Sequence, residues 1–165
     1  MKRYIKSAIS SFNNLSRADK IDVASSPYAS SRDVATWLDD DDYAVRLAAA
    51  ENPNAPAELL WQLSKVPSMR EAVASNRSAP PELLDKLSKV RNNDVRLWVA
   101  CNPSTPLATL KRLSRSSSSR VREAITTNPN APYEILRKLA EDEDELGFIR
   151  HRAQAHVNYA NHQIS

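Results

Sequence analysis

The chain of 165 residues carries few residues that could perform nucleophilic, acid–base or metal chemistry. His151, His156 and His162 crowd the C-terminus at spacings of five and six residues. These spacings do not align two imidazoles on one helix face, as metal ligands at i and i+4 are aligned. Cys101 is the single cysteine, so it has no cysteine partner for a disulfide or a thiolate metal cage. We therefore expect no metal, no other cofactor and no enzymatic activity.

Binding of anions is the chemistry that the sequence favours instead. Four segments each contain a proline, and the residues five, six and nine positions after that proline fall on one helical face. These residues are Trp61, Gln62 and Lys65, then Asp85, Lys86 and Lys89, then Lys111, Arg112 and Arg115, and finally Arg137, Lys138 and Glu141. Stacked helices would align them into a basic stripe of eight cations and two acids, in a chain whose net charge is only +3. The basic stripe is therefore predicted to dock an anionic partner.

Part of the basic stripe also has a local explanation. Lys86 and Lys138 each lie four residues after a glutamate, so an ion pair within the helix explains them without a partner. In the third segment alanine replaces that glutamate, which leaves Lys111, Arg112 and Arg115 without an acid one turn earlier. We expect these three cations to form the centre of the docking surface.

Two tryptophans occupy positions where the related segments carry other residues. Trp61 stands where the other segments carry aspartate, lysine or arginine, so we expect it to be partly exposed and to anchor a partner. Trp98 replaces an alanine, and we expect it to fill a larger gap in the core.

A second set of basic residues follows the opening apolar residue of each segment: Arg46, Arg70, Arg96, Arg122 and Arg150. One interpretation is a ladder of anion-binding groups. The interpretation that we favour is an ion pair between each arginine and an acid of the preceding loop, such as Asp42 or Asp94. Arg122 follows the loop "RSSSSR", which supplies no acid, so we count it among the predicted partner-binding residues.

The elements that must position these residues repeat along the chain. An apolar residue followed by arginine opens five segments, at Val45, Met69, Val95, Val121 and Ile149, spaced 24, 26, 26 and 28 residues apart. Four of the segments continue through an asparagine to a proline and then to a leucine-rich stretch. A nearly fixed period in this range indicates a solenoid of stacked helical units.

Each complete segment is predicted to form two helices. Apolar residues at offsets 0, 3 and 4, such as Val45, Ala48 and Ala49, mark one face of a first helix. In three segments a proline follows the asparagine, disfavours helical geometry there and ends that helix. The later proline presets the backbone for a second helix, whose leucines bury one stripe. Ten prolines against one glycine fit an all-α class better than a strand-and-turn fold.

The phrase V-R-x-A-V-A-x-N-P-x-x-P-x-x-L-L-x-x-L, which recurs over residues 45–139, resembles the leucine-rich repeat variant family. The resemblance implies a right-handed superhelical solenoid in which short, 3₁₀-like helices alternate with longer α-helices. The founding member of that family is associated with an N-terminal iron–sulfur cluster held by cysteines. Because this sequence has no cysteine before Cys101, the resemblance implies the fold and not the cofactor.

The expected organisation is one repeat domain of about five repeats over residues 23–158, with a capping helix at 1–22 and a tail at 159–165. The last repeat begins at Ile149 and lacks a leucine-rich second helix. Either residues 149–159 form a terminal helix that caps the core, or the uncovered apolar side of Leu139 pairs two chains. We favour the cap, and with it a monomer over a homodimer.

Location and partner follow from charge and hydropathy. No segment is apolar enough to predict a membrane span, and polar residues interrupt the basic stretch "MKRYIKSAISSF" before it could act as a signal peptide. With the lone cysteine, this favours the cytoplasm. The acidic runs "LDDDDY" and "EDEDEL" would oppose sliding along DNA. We therefore predict a protein-interaction scaffold for an acidic or mixed-charge protein partner, with DNA or RNA binding through the same stripe as the alternative.

Overall fold

The computed structural model describes the backbone of residues 15–162 and the side chains of residues 15–159. Within these bounds the chain is helical, with no β-strand, so the predicted all-α helical repeat class is confirmed. The chain divides into two compact units, one ending at Ala79 and the other beginning at Pro80. A single repeat domain over residues 23–158 and its right-handed course stay predictions.

Helices of two kinds alternate along both units. The described part of the first unit forms α1 (Arg17–Ser25), α2 (Ser31–Ala35), α3 (Tyr43–Glu51), α4 (Ala57–Leu63) and α5 (Arg70–Ser75), with a 3₁₀ turn at Pro67–Met69. The second unit forms α6 (Pro81–Leu87), α7 (Asn93–Cys101), α8 (Leu107–Leu113), α9 (Ser119–Thr127), α10 (Tyr133–Glu141) and α11 (Gly147–His162). In the first unit α3 packs on α1 and α5, and in the second α9 packs on α7 and α11. Within each unit, the first helices of successive repeats therefore lie side by side.

The apolar residues that the repeat pattern assigned to the core are buried. In the first helices these are Val45, Ala48, Ala49, Met69, Ala72, Val73, Val121, Ala124 and Ile125. In the second helices they include Leu59, Leu60, Leu63, Leu83, Leu84, Leu87, Leu110 and Leu113. Burying a leucine side chain contributes about 1.5–3 kcal/mol, so stacking supplies the stability that short helices lack alone. The prediction of two amphipathic helices in each repeat is confirmed.

The helix lengths differ from the expected alternation of short, 3₁₀-like and longer helices. The first helices α3, α7 and α9 are α-helical over nine residues, whereas the second helices α4, α6 and α8 have seven. Asp42 and Asn92 cap α3 and α7 through their side chains, which supports regular α-helix from the first turn. In the shortest repeat Pro67 stands near that position, and a 3₁₀ turn leads into the six residues of α5.

A buried asparagine ends the first helices. Asn52, Asn76 and Asn128, the boundary asparagines, each donate through Nδ2 to two main-chain carbonyls of the preceding repeat. For Asn76 these are the carbonyls of Ala50 and Asn52, at 2.6 and 2.9 Å. Each Oδ1 atom accepts from the N–H two residues later and so closes the turn. Because Arg77 stands where other repeats have proline, the amide side chain is the feature that these turns share.

The terminal helix α11 covers the last repeat. Its residues Ile149, Ala153 and Val157 are buried, and the helix packs on α9 and α10. Leu139 of α10 is buried as well, so the apolar side that would have paired two chains is covered. The predicted terminal helix is confirmed and runs on to His162, into the segment predicted as a tail.

The two chain ends are described only in part. Residues 163–165 of the predicted tail lie outside the described residues, as do residues 1–14 of the predicted N-terminal capping helix. Residues 17–22 of that predicted helix belong to α1, whose N-terminus is capped by Ser16.

An ion pair joins the turn before α11 to helix α9 of the same unit. The Glu145 side chain is 1% exposed and accepts from Arg122 Nε at 2.5 Å and Nη2 at 2.8 Å. This contact lowers the pKa of Glu145 below its ordinary value. The expectation that Arg122 lacks an acid is therefore wrong, because its acid comes from the following loop instead of the preceding one. Arg122 is engaged within its own unit.

Replacing Asn128 with alanine should destabilise the protein more than the same change at Asn130. N128A leaves the carbonyls of Ala100 and Asn102 without their donor, and each unsatisfied buried group costs about 1–3 kcal/mol. Asn130 is exposed and donates to the carbonyl of Pro103, which makes N130A a matched control. Chemical denaturation measures both free energies of unfolding. Equal losses for the two variants would contradict a special role of the boundary asparagine.

Glu145→Gln should make folding less stable at neutral pH and less sensitive to acid. The pKa of Glu145 is lowered in the folded state, so the ion pair stabilises the protein above the ordinary value of 4.5. That stability is lost as pH falls through the lowered value. At pH 7 the variant should lose roughly 1.5–3 kcal/mol, and its difference from wild type should shrink in acid.

Denaturation curves across acidic and neutral pH test this second prediction. Glu143→Gln, in the same turn but exposed, is the control and should follow the wild type. A deficit of E145Q that stays constant with pH would show that ionisation of this carboxyl is not coupled to folding.

Candidate docking site

The ten predicted partner-binding residues lie on both compact units. Trp61 is on α4 of the first unit and is half-buried, and Lys65 follows that helix and donates to Gln62 Oε1 at 2.5 Å. The other eight lie in the second unit: Lys86, Lys89, Lys111, Arg112, Arg115, Arg122, Arg137 and Lys138. One continuous basic stripe stays a prediction, and the geometry of the second unit decides which of its cations are available.

Asp85 of α6 neutralises two of these cations. Its carboxylate accepts from Lys89 Nζ and from Arg112 Nη2 on α8, both at 2.7 Å, and from Thr109 Oγ1 at 2.7 Å. The hydrogen bonds from Lys89, then from Arg112 and Thr109, hold the pKa of Asp85 far below its usual range. The expectation that Arg112 has no acidic partner is therefore wrong. Its partner lies on the second helix of the preceding repeat. The residue pattern within one helix therefore does not reveal it.

Arg137 of α10 is also engaged by acids. Its guanidinium contacts Glu141 at 3.0 Å and Glu134 at 3.5 Å. The predicted ion pair between Glu134 and Lys138 does not form, because Glu134 contacts Arg137 instead. Lys86 of α6 is exposed.

Three exposed cations that lie near one another in the second unit make no ion pair or side-chain hydrogen bond within the described residues: Lys111, Arg115 and Lys138. They line one cleft between α8 and α10, with a volume of about 360 Å³. Most of the remaining wall is apolar and consists of Leu107, Ala108, Pro132 and Ile135, with Ser114 and Glu134. Leu107 is 61% exposed. This arrangement is named the basic cleft.

The basic cleft combines two kinds of attraction. Unpaired cations draw carboxylates from a distance, and the apolar wall adds about 25 cal/mol for each Å² of apolar surface that a ligand buries. Glu134, the acid in the wall, already contacts Arg137, so the cleft keeps an excess of positive charge. A ligand that is acidic and apolar at once would satisfy both features.

Three of the five arginines that follow an opening apolar residue bind the backbone. Arg46, Arg70 and Arg122 each donate to the main-chain carbonyl six residues earlier, at 2.9 Å for Arg70 and 2.7 Å for Arg122. The predicted pairing of these arginines with Asp42 and Asp94 is wrong, because both acids contact arginines of other helices. These guanidinium groups satisfy carbonyls of the loop that leads into the helix, which does not favour a ladder of anion-binding groups.

Trp98 of α7 is 41% exposed, so the prediction that it fills a gap in the core is wrong. Its sister positions hold the buried alanines Ala48, Ala72 and Ala124. A space that an alanine fills is too small for an indole, which explains why the ring extends to solvent.

Cys101, His151 and His156 are the candidate reactive side chains from the sequence that the structure describes. No group of three or more His, Cys, Asp or Glu residues in the described part of the chain could hold a metal ion. Burial raises the pKa of the Cys101 thiol, which makes the nucleophilic thiolate scarce. His151 and His156 are exposed, and the side chain of His162 lies outside the described residues. Between residues 15 and 162, no helix has the length and apolar content needed to cross a membrane.

The comparison with protein families agrees with the repeated motif. A model described as the Leucine Rich Repeat Variant domain matches residues 45–98. Neither a curated protein nor a solved structure matches the chain. The match starts at Val45, the opening residue of the first complete repeat, and ends within α7. The resemblance to the leucine-rich repeat variant family is thereby confirmed over residues 45–98.

Proposed function

We propose that this chain is a non-catalytic binding scaffold that docks an acidic segment of a protein partner in the basic cleft. The observation that carries the proposal is the unpaired charge of Lys111, Arg115 and Lys138. Neighbouring cations such as Arg112 and Arg137 are neutralised by acids of the same unit. Positive charge is therefore left over in the cleft, beside an apolar wall.

The apolar wall supports a protein partner over a nucleic acid, which is the alternative. The exposed Leu107 would be covered by an aliphatic or aromatic side chain, whereas a phosphate backbone offers no such group. The exposed acids of residues 142–144 directly follow α10 and would repel phosphates. Stacked helical repeats commonly bind partners on an extended surface, which also supports a scaffold. With its lone cysteine, we place this function in the cytoplasm.

Reversing the three cleft charges should abolish partner capture. In K111E/R115E/K138E three charge contacts become repulsive, and at on the order of 0.5–1 kcal/mol each this predicts a loss of roughly tenfold or more. The fold should persist, since these side chains are exposed and bind no other group in the described residues. The measurement is capture from cell lysate with partner identification, with and without nuclease.

The matched control reverses three exposed cations of the same unit that lie outside the cleft. The variant R91E/R120E/R152E changes net charge equally and should retain capture, since the ion pairs of Arg120 and Arg152 that it breaks are exposed and contribute little to stability. Loss of capture in both variants would mean that net charge, not the cleft, attracts the partner. Capture that disappears with nuclease would favour nucleic acid.

Leu107→Ser should weaken binding without changing its salt dependence. The substitution removes apolar surface from the cleft wall, so affinity for an acidic peptide that contains one leucine should fall several-fold. Because all three cations remain, the slope of affinity against salt should match that of the wild type, whereas K111E/R115E/K138E should flatten it. Titration of the labelled peptide at several salt concentrations measures both quantities. An unchanged affinity in L107S would remove the apolar wall from the proposed site.

A further inference from the structure

The turn between α10 and α11 presents an acidic, apolar surface. Asp142, Glu143 and Asp144 are exposed and form no ion pair within the described residues. The apolar side chains that follow are exposed as well, Leu146 at 45% and Phe148 at 53%. Residues 142–148 are named the acidic turn.

The acidic turn is held in one conformation by contacts inside the second unit. Glu145 points inward to Arg122, and its own N–H donates to the Asp142 carbonyl at 3.2 Å. Asp142 Oδ1 accepts from the N–H of Asp144 at 3.0 Å. A surface ordered in advance loses little conformational entropy on binding.

The acidic turn and the basic cleft match each other in chemistry. Three carboxylates face solvent in one, and three unpaired cations in the other. The exposed Leu146 and Phe148 correspond to the apolar wall around Leu107. The two surfaces also adjoin each other. The main-chain carbonyl of Lys138 in the cleft accepts a hydrogen bond from the N–H of Asp142 in the turn at 3.1 Å. Within one chain, the carboxylates of the acidic turn form no ion pair with the three cations of the basic cleft.

We propose that the acidic turn of one copy occupies the basic cleft of a second copy, and that the contact is reciprocal. The inference rests on the proposed function in that it takes the cleft to be a docking surface, and it identifies a second copy of this chain as an occupant. Because cleft and turn adjoin on the same unit, a two-fold axis can bring both pairs together and close the assembly as a dimer. An acidic protein partner must then compete with the turn for the cleft.

Two charge-reversed variants test the reciprocal contact. The cleft variant is K111E/R115E/K138E, and the turn variant is E143K/D144K, which keeps Asp142 because its side chain orders the turn. Each variant alone brings like charges together and should remain a monomer of about 18.4 kDa in light scattering. An equimolar mixture restores opposite charges at both contacts and should form a heterodimer of twice that mass. The wild type should be a dimer that dissociates in high salt.

A control and three outcomes make this test decisive. D39K/D41K reverses two exposed acids of the first unit and should dimerise like the wild type. A wild type that stays monomeric at high concentration would overturn the proposal, and so would a mixture that stays monomeric. Persistent dimers of both single variants would place the contact on another surface. Circular dichroism checks that each variant is folded.

A peptide separates failure of this inference from failure of the proposed function. The probe is the free peptide EDEDELGF, which copies residues 141–148 and should bind the vacant cleft of the monomeric turn variant. Peptide binding without any dimer would leave the docking function standing and overturn self-association. Absence of peptide binding as well would overturn both.

Discussion

The buried asparagine at the end of a first helix is the interaction on which the rest of the fold depends. Stacking brings main-chain carbonyls of one repeat into the interior, where water cannot reach them. One amide group satisfies two of these carbonyls and, through its oxygen, sets the turn into the next helix. A shift of one residue would leave two acceptors and a donor unsatisfied together. The leucines supply most of the burial energy, but they would accept several registers, and the asparagine selects one.

The same register decides which cations are neutralised. Stacking places Asp85 of one repeat beside Arg112 of the next, so a charge that has no partner within its own helix finds one across the repeat boundary. Around Lys111 and Arg115 the adjoining helix offers no free acid, and their charge is left to solvent. The binding character of this surface is therefore a property of pairs of repeats, and exchanging one helix would alter the site on its neighbour.

Local signals in the sequence were sufficient for the helix pairs and their buried stripes, because periodicity, proline and asparagine act within a few residues. The contacts of Arg112 and Arg122 could not be predicted in this way, since their acids lie 27 and 23 residues away and meet them only through stacking. Lys111 and Arg115 were predicted correctly as cations without an acid in their own helix. Lys138 was predicted as a partner-binding residue with a local ion pair as the alternative, and that pair does not form because Glu134 contacts Arg137 instead. One feature of the sequence pointed to the role of the asparagine: the residue is present at position 76 even though no proline follows it there.

Each repeat has one edge of constant length and one edge of variable length. On the constant edge the proline follows the asparagine by four positions in every case: Asn52 and Pro56, Asn76 and Pro80, Asn102 and Pro106, and Asn128 and Pro132. The edge of variable length is the connection from a second helix to the next first helix; it contains the 3₁₀ turn, the loop "RSSSSR" or the acidic turn, and it accounts for the spread of repeat lengths. Added residues there leave the amide contacts untouched. A foreign peptide grafted beside the exposed Ser117 would therefore be displayed from a rigid support, which makes this edge a natural place for engineering new specificity.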